Sequence, residues 1–383
     1  MNVSKNILYV GVNDKDITLF EGQYVVEKGM AYNSYVIIDE KIAVFDTVDK
    51  NFVTQWLKNL ENVFGDRTPD YLVVTHMEPD HSSGIKIFAD KYPNATIVSN
   101  AKSFTMMKNF FGTDFADRNL AVTDGSTLSL GEHQLHFATA PMVHWPEVTV
   151  CYERTEKVLF SADAFGKFGT TDADEDWACE ARRYYFGIVG KYGVQAQALL
   201  KKASALDIKT ICPLHGPVLK ENLGYYINLY DIWSSYRPEK EGVTIAYTTV
   251  YGNTENAVNL LKTNLEGKGV KVSVFNLAKD DMAEAVEDAF KHDRLVLATT
   301  TYNGTYFPFM REFVEHLKER NYQNRTIGFI ENGSWAPVAT KLMKADLESL
   351  KNITFTENNV KILSAVKDEN IAQINALAEE LCK

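Results

Sequence analysis

The 383-residue sequence has no paired cysteines. Cys151, Cys179, Cys212 and Cys382 are scattered with no C-x-x-C spacing, which excludes a disulfide framework and a thiolate metal site. No apolar run approaches the roughly 18 residues of a membrane-spanning helix. The first residues lack the apolar core of a secretory signal. A cytoplasmic location with no membrane partner is therefore expected. There is no excess of positive charge either: 40 Lys and Arg stand against 51 Asp and Glu, for a formal charge of −11. Both parts of the chain, before and after Lys240, are acidic, which excludes the electrostatic footprint of a nucleic-acid binder. What is present is ordinary for a folded chain, with 45% hydrophobic and 24% charged residues. At about 150 residues per domain, the length suggests two domains or three.

The part up to residue 160 reads mainly as strands. Tyr35–Ile38, Ile42–Phe45, 71–75 and 148–152 are β-rich runs with Gly, Pro, Asp or Asn nearby. Helical patterns fall at 51–64 and 102–111, with longer amphipathic ones at 184–205 and 223–236. Short strands with covering helices indicate a layered α/β fold. Arg237-Pro238-Glu239-Lys240-Glu241-Gly242 is polar and holds both breakers, so it reads as a linker. Beyond it strands are expected at 243–247, 270–276, 294–298, 326–330 and 360–363, each followed by a helix. That alternation implies a doubly wound parallel sheet. The expected domains are 1–240 and 241–383.

The most specific feature is His76-Met77-Glu78-Pro79-Asp80-His81, directly after an apolar strand. A protein core does not gather two carboxylates and two imidazoles in six residues. Imidazole with carboxylate suits first-row metals, and carboxylates favour iron or manganese. One short turn cannot wrap a single ion with all four groups, so two metals sharing a site fit better. His144, Asp163 and His215 lie further on, each near an expected strand end. A lone histidine such as His215 is more often structural, but with the cluster it completes four histidines and three carboxylates. His133, His136, His292 and His316 have no comparable context and read as surface or structural.

A second constellation opens the last 140 or so residues. Thr248-Thr249-Val250-Tyr251-Gly252-Asn253-Thr254-Glu255 joins a strand to a helix. Such a loop turns backbone N–H groups toward a phosphate. It has neither the Lys of a P-loop nor G-x-G-x-x-G, so a monophosphate such as FMN fits best. Thr249, Val250, Tyr251, Gly252, Asn253 and Thr254 are the expected phosphate contacts. Thr301, Tyr302, Asn303, Gly304 and Thr305 follow the third strand, and Gly333, Ser334, Trp335 and Ala336 the fourth. Loops at strand C-terminal ends bind ligands in open α/β sheets. Their aromatics can stack on an isoalloxazine, or else form a hydrophobic lid or a partner surface.

With these motifs in place the chain resembles a known family over nearly its whole length. The spacing of His76, His81, His144, Asp163 and His215 looks like the metallo-β-lactamase superfamily. Glu78 in place of the second histidine is the mark of the flavodiiron proteins, or A-type flavoproteins. The segment from Val243 onward resembles flavodoxin, and Arg182-Arg183-Tyr184-Tyr185 and Leu214-His215-Gly216-Pro217 match the family as well. The resemblance implies a metallo-β-lactamase-like αββα sandwich fused to a flavodoxin-like domain, with FMN and a non-haem diiron site as cofactors. By position, His76, Glu78 and His144 would hold one iron, and Asp80, His81 and His215 the other. Asp163 would bridge them. Glu21, where many members have a histidine near the pocket, and Tyr184 or Tyr185 are candidate proton donors or electron sources.

The activity implied is reduction of O2 to water or of NO to N2O, a detoxification in an anaerobe-type metabolism. An external electron donor is implied: a rubredoxin, a reduced deazaflavin or a reductase. No rubredoxin module is expected in the chain, since that needs two C-x-x-C pairs. A head-to-tail homodimer, or a dimer of dimers, would bring the FMN of one subunit near the irons of the next. The aromatic helix carrying Tyr225, Tyr226, Tyr230, Trp233 and Tyr236 would serve that interface or the core. Two other readings stand beside this one: a zinc hydrolase with a flavodoxin-like appendage, and an electron carrier or gas sensor without turnover.

Overall fold

Short strands dominate the first half of the chain, and they pair into two large sheets and two two-stranded ribbons. A computed structural model describes residues 2–383. The chain divides into two compact units, one ending at Asp231 and the other spanning Ile232–Lys383.

In the first unit, β1 (Ile7–Tyr9), β2 (Tyr35–Ile38), β3 (Ile42–Phe45), β4 (Tyr71–Val73), β5 (Thr96–Ser99) and β6 (Asn119–Ala121) form one sheet in sequential order. A second sheet follows, also in sequential order: β7 (Thr127–Ser129), β8 (Gln134–Thr139), β9 (Thr149–Glu153), β10 (Val158–Phe160) and β11 (Thr210–Cys212). Phe45, Val73 and Val98 of one sheet share a buried cluster with Leu135, Phe137, Cys151, Phe160 and Cys212 of the other. At its centre the Phe45 and Phe160 rings stack at 3.9 Å. The helix Val53–Phe64 buries Val53, Trp56, Leu60 and Phe64, a single stripe at 3.6-residue spacing. Strands β3, β4 and β5 run parallel, as do β10 and β11. Residues 46, 74–81, 163 and 215 follow the C-terminal ends of these strands, and the candidate ligands lie among them.

Three hairpin turns of the sandwich meet on His133. Its ring is buried, with Nδ1 at 2.8 Å from Asp39 Oδ2 and Nε2 at 3.2 Å from Glu156 Oε1. Burial disfavours charge on His133, but the two carboxylates, with Glu153 nearby, outweigh it and raise its pKa. Asp39 is lowered: burial opposes this, and the His133 N–H groups overcome it. A raised histidine stabilises the fold fully below its unfolded pKa and loses that contribution as pH rises through its folded pKa. A lowered aspartate loses its contribution as pH falls through its folded pKa. The stability gap between wild type and His133→Gln, read from urea midpoints, should therefore be widest near pH 5–6, and shrink toward pH 9 and below pH 4. A gap that grows toward pH 9 would contradict this arrangement.

In the second unit, β12 (Lys240–Tyr247), β13 (Val272–Asn276), β14 (His292–Tyr302), β16 (Arg325–Asn332) and β17 (Ile353–Phe355) form a parallel sheet in the order β13-β12-β14-β16-β17. A two-residue strand, β15 (Thr305–Tyr306), folds back antiparallel on the end of β14. Asn303 and Gly304 turn this hairpin with φ of 50° and 74°, the left-handed pair that two-residue hairpins favour.

Three elements differ from the sequence expectation. The fifth strand position is shared by β17 and β18 (Val360–Ile362), each pairing with a different stretch of β16. Strand β12 begins at Lys240, inside the polar stretch read as linker, and Lys240 pairs with His292 ahead of an irregularity in the register. The long helix expected at 184–205 is broken into Trp177–Tyr184, a π-type turn Tyr185–Val189, a tight turn Gly190–Tyr192 and the helix Gly193–Ala203. Tyr24 accounts for part of this, since its hydroxyl donates to the Gly187 carbonyl at 2.9 Å. A Cβ on Gly187 would stand only 3.0 Å from the Tyr24 ring.

Candidate metal centre and cofactor loops

The chain leaves β4 and turns at Pro79, which opens a single helical turn, Pro79–Ser82. Proline at the first helical position has φ preset and needs no N–H partner. The turn is held from the end of β3. Asp46 accepts from Thr75 N–H at 2.7 Å and from the Thr75 hydroxyl at 2.6 Å, while Thr47 donates to the His81 carbonyl at 2.9 Å from N–H and 2.7 Å from its hydroxyl. The six-residue cluster thus points its side chains to two different places.

His76, Glu78, His144 and Asp163 place one ligand atom each within 4.8 Å of one another, and so do Asp80, His81 and His215. In the first group Glu78 Oε2 lies 2.9 Å from His144 Nε2 and 3.3 Å from His76 Nε2. In the second, His81 and His215 face each other Nε2 to Nε2 at 2.9 Å, with Asp80 Oδ2 at 3.3 Å from both. Asp163 stands between. Its Oδ2 is 3.0 Å from His144 and 3.3 Å from His76, and its Oδ1 is 3.5 Å from His81 and 3.8 Å from His215. All seven residues expected as ligands are brought together.

These atoms fit a pair of cations. The four oxygens of Asp80 and Asp163 are buried and make no hydrogen bond. His215 directs Nδ1 to the Ala31 carbonyl at 2.7 Å, which requires a proton there and leaves a lone pair on Nε2. His76 directs Nδ1 to Glu147 Oε1 at 2.8 Å, with the same consequence. Lone pairs facing lone pairs and carboxylates repel unless a positive charge sits among them. Without a metal, protons must take that place. Burial works against charge on His76, but Asp163 outweighs it and lifts its pKa well above the usual value. Burial likewise opposes ionisation of Asp163, yet His76 and the neighbouring imidazoles hold it far below the carboxylate range.

The wall around the site is aromatic. Phe20, Tyr32 and Tyr184 have ring centroids 5.6, 6.2 and 5.4 Å from that of His215, and Trp145 lies 5.3 Å from His76. Of the two tyrosines singled out in sequence, Tyr184 packs on His215, while Tyr185 packs on Phe186 and Tyr230. Burial, then Asp163, raises Tyr184 well above the ordinary phenol. Glu21 is exposed as a residue but turns its carboxyl toward Glu78. Desolvation, then the Glu78 charge, pushes it up to about 7.

The residues of the site that went unnoticed in sequence include Asp46, Glu147 and Asn33. Asn33 donates from Nδ2 to the carbonyls of Pro213 and Gly216 at 2.9 and 2.8 Å, and so fastens the His215 loop. Glu147 alone had a local signal, three residues after His144. Gly216 has φ +77°, and a Cβ there would meet Lys167 Cγ at 2.7 Å, so glycine is required beside His215. The acidic run after Thr171 is partly anchored. Asp172 pairs with Lys15 at 2.8 Å, Glu175 with Lys167, and Asp176 caps the helix Trp177–Tyr184. Of the aromatic helix, Tyr230 and Trp233 are buried, as is Tyr236 just beyond it, and Tyr225 is exposed.

In the second unit the expected residues lie at the C-terminal ends of β12, β14 and β16, which are neighbours in the sheet, but Thr301 and Tyr302 are the last residues of β14 and Thr305 the first of β15, so that only Asn303 and Gly304 form a turn there. Hydroxyl bonds tie them: Thr248 to Thr299 at 2.7 Å, Thr300 to the Asn332 carbonyl at 3.1 Å, and Val338 N–H to Thr301 Oγ1 at 2.9 Å. Thr249 Oγ1 accepts from Gly252 N–H at 3.0 Å, keeping its own hydrogen to donate. Gly252 has φ +85° and stands at the start of the helix Asn253–Gly267, whose first-turn N–H groups face outward along the axis. Tyr251 is 92%, Trp335 81% and Tyr302 45% exposed. Large aromatics left this bare at a sheet's C-terminal edge suit a planar ring system, and the helix start suits its phosphate.

The fold and site define a β-lactamase-like metal domain joined to a flavodoxin-like domain. Residues 30–216 match the family model for the ODP family beta lactamase, and residues 244–362 match that for a flavodoxin domain. A nitric oxide reductase of Moorella thermoacetica is 26% identical, covering 99% of this chain and 97% of its own. The flavodiiron protein of Giardia intestinalis superposes with a TM-score of 0.93 at 25% identity, over 99% of this chain and 95% of its own. The rubredoxin oxygen:oxidoreductase of Desulfovibrio gigas shares the fold, with a TM-score of 0.92 at 22% identity over 100% and 97%. The chain belongs to the flavodiiron proteins.

Proposed function

We propose that the chain is a flavodiiron oxidoreductase that reduces O2 to water or NO to N2O. Its cofactors are FMN on the second unit and two non-haem irons on the first. The observation that carries this reading is the divided carboxylate of Asp163, one oxygen facing His76 and His144, the other His81 and His215. A bridging carboxylate between two histidine–carboxylate sets suits a pair of iron ions, and Glu78 in place of histidine shifts the donor set from zinc toward iron.

When bound, the irons and FMN supply the redox chemistry, and the protein supplies their placement and surroundings. His76, Glu78 and His144 would hold one metal, and Asp80, His81 and His215 the other. Phe20, Tyr32, Tyr184 and Trp145 line the histidines and exclude bulk water, which suits a small uncharged gas. Tyr184 keeps its proton on Oη beside Asp163. Glu21 sets a third carboxyl at Glu78, the feature by which this pocket would differ from members with histidine there. On the second unit, Thr249, Val250, Tyr251, Gly252, Asn253 and Thr254 receive the phosphate. Thr301, Tyr302, Asn303, Gly304, Thr305, Gly333, Ser334, Trp335 and Ala336 would hold the flavin ring.

The electron donor is external: a rubredoxin, a reduced deazaflavin or a reductase. A cytoplasmic head-to-tail homodimer, or a dimer of dimers, completes the reading. Among the described residues no helix is long and apolar enough to cross a membrane.

The test is anaerobic reconstitution with iron and FMN, followed by consumption of O2 and of NO with a chemically reduced donor. Either gas should be consumed well above a metal-free control. If neither is, or if protein produced without added zinc holds two zinc ions, the proposal fails.

A further inference from the structure

We infer that Glu147 is a positioning residue of the metal centre: a buried carboxylate that fixes the tautomer and orientation of His76 and strengthens its Nε2 as a ligand. The inference rests on the diiron reading of this site. Glu147 is 1% exposed, and its Oε1 lies 2.8 Å from His76 Nδ1 and 2.9 Å from the Met77 N–H. Both groups donate to the same oxygen. A carboxylate only accepts, so the imidazole proton sits on Nδ1 and the lone pair on Nε2. That lone pair faces Glu78 Oε2 and Asp163 Oδ2, each at 3.3 Å.

Glu147 cannot follow the imidazole if it turns. Its carbonyl accepts from Asn100 Nδ2, and the same Asn100 caps the helix Ala101–Phe111 through its Oδ1. Two residues on, Thr149 N–H donates to the Thr75 carbonyl at 3.0 Å. The ends of β4, β5 and β9 therefore hold the carboxylate in register with His76. Its second oxygen, Oε2, is buried and makes no hydrogen bond, so the charge is directed through His76.

The two halves of the centre are not equivalent in this respect. The histidine on one side leans on an ionised carboxylate. On the other side, His215 leans on a neutral carbonyl, and His81 Nδ1 is buried with no hydrogen bond. An imidazole that donates to a carboxylate is a stronger ligand, and losing such a partner typically lowers metal affinity about 10–100-fold. Glu147 should thus act on one of the two metals.

The experiment is anaerobic Fe(II) titration of the full-length FMN-loaded protein, with Co(II) absorption as a second readout. Wild type should take up two metals. Glu147→Ala should weaken one about 10–100-fold and leave the other unchanged. Glu147→Gln keeps an acceptor for both N–H groups but removes the charge, so it should fall between, with a shifted Co(II) band at that one metal. A purely structural carboxylate would not move one band alone. Wild-type affinity for both metals in either folded variant would overturn the inference. If Glu147→Ala does not fold, Glu147→Gln decides by the same criterion. Failure of the wild type to bind two metals would instead overturn the diiron reading itself.

Discussion

Asp163→Ala should strip the protein of its tightly held iron, from two per chain to less than one. Gas consumption should fall by more than about 100-fold, beyond the loss typical of removing a group one step further from the metal. The reason lies in the position of one side chain. Asp163 is fully buried, its oxygens divide between His76 and His144 on one side and His81 and His215 on the other, and neither oxygen has a hydrogen bond to give up. Among the described residues no other group faces both sets. The fold itself should survive, because the freed imidazoles can shed protons when the carboxylate that raised them is gone. Asp163→Asn keeps the shape and one oxygen, and should retain iron better than Ala but less than wild type. Iron analysis with circular dichroism checks this. Two irons retained in a folded Asp163→Ala protein would show that the carboxylate does not bridge.

Phe45→Ala should destabilise the first unit by about 3–5 kcal/mol, as large aromatic truncations in dense cores do. Phe45 is fully buried, and its ring lies on Phe160 at 3.9 Å and nearly parallel, joining the two sheets at their centre. Removing it leaves a void lined from both sides, and the surrounding strands are tied by their ladders and cannot close it. Asp46, the next residue, holds Thr75 and the backbone of the metal turn. Loss of stability and loss of iron should therefore appear together. Urea unfolding followed by a probe in the first unit would measure it. A cost below about 1 kcal/mol would mean that the sheets repack without this stack.

The cluster from His76 to His81 was legible because chemistry is concentrated there at a density no core tolerates. The loop proposed to take the phosphate stood out because its hydroxyls and Gly252 sit where a strand pattern changes into a helix pattern. His144, Asp163 and His215 stood out only beside that cluster, since each alone is one polar residue at a strand end, and their division between two metals came from the family resemblance. Asp46 and Asn33 were not singled out because a side chain that holds a loop through space carries no periodicity and no motif, and Glu147 had only its place three residues after His144. The divided fifth strand was missed because the residues between β17 and β18 look like ordinary loop. The broken helix after Tyr184 was missed because its apolar spacing persists across the break, where Tyr192 leaves the helical conformation.

Sequence alone sufficed for the kind of each domain, the donor types and the loops that carry them, because hydrophobic period, turn residues and ligand chemistry are local properties. The tertiary structure was needed to decide which donors converge. It drew the candidate ligands from positions 76 to 215 into two groups and set one carboxylate between them. It also separated Tyr184 from Tyr185, and it brought Glu147 behind His76. Those relations depend on which strand ends lie side by side, and strand pairing is a property of the folded sheets that no single stretch of chain contains.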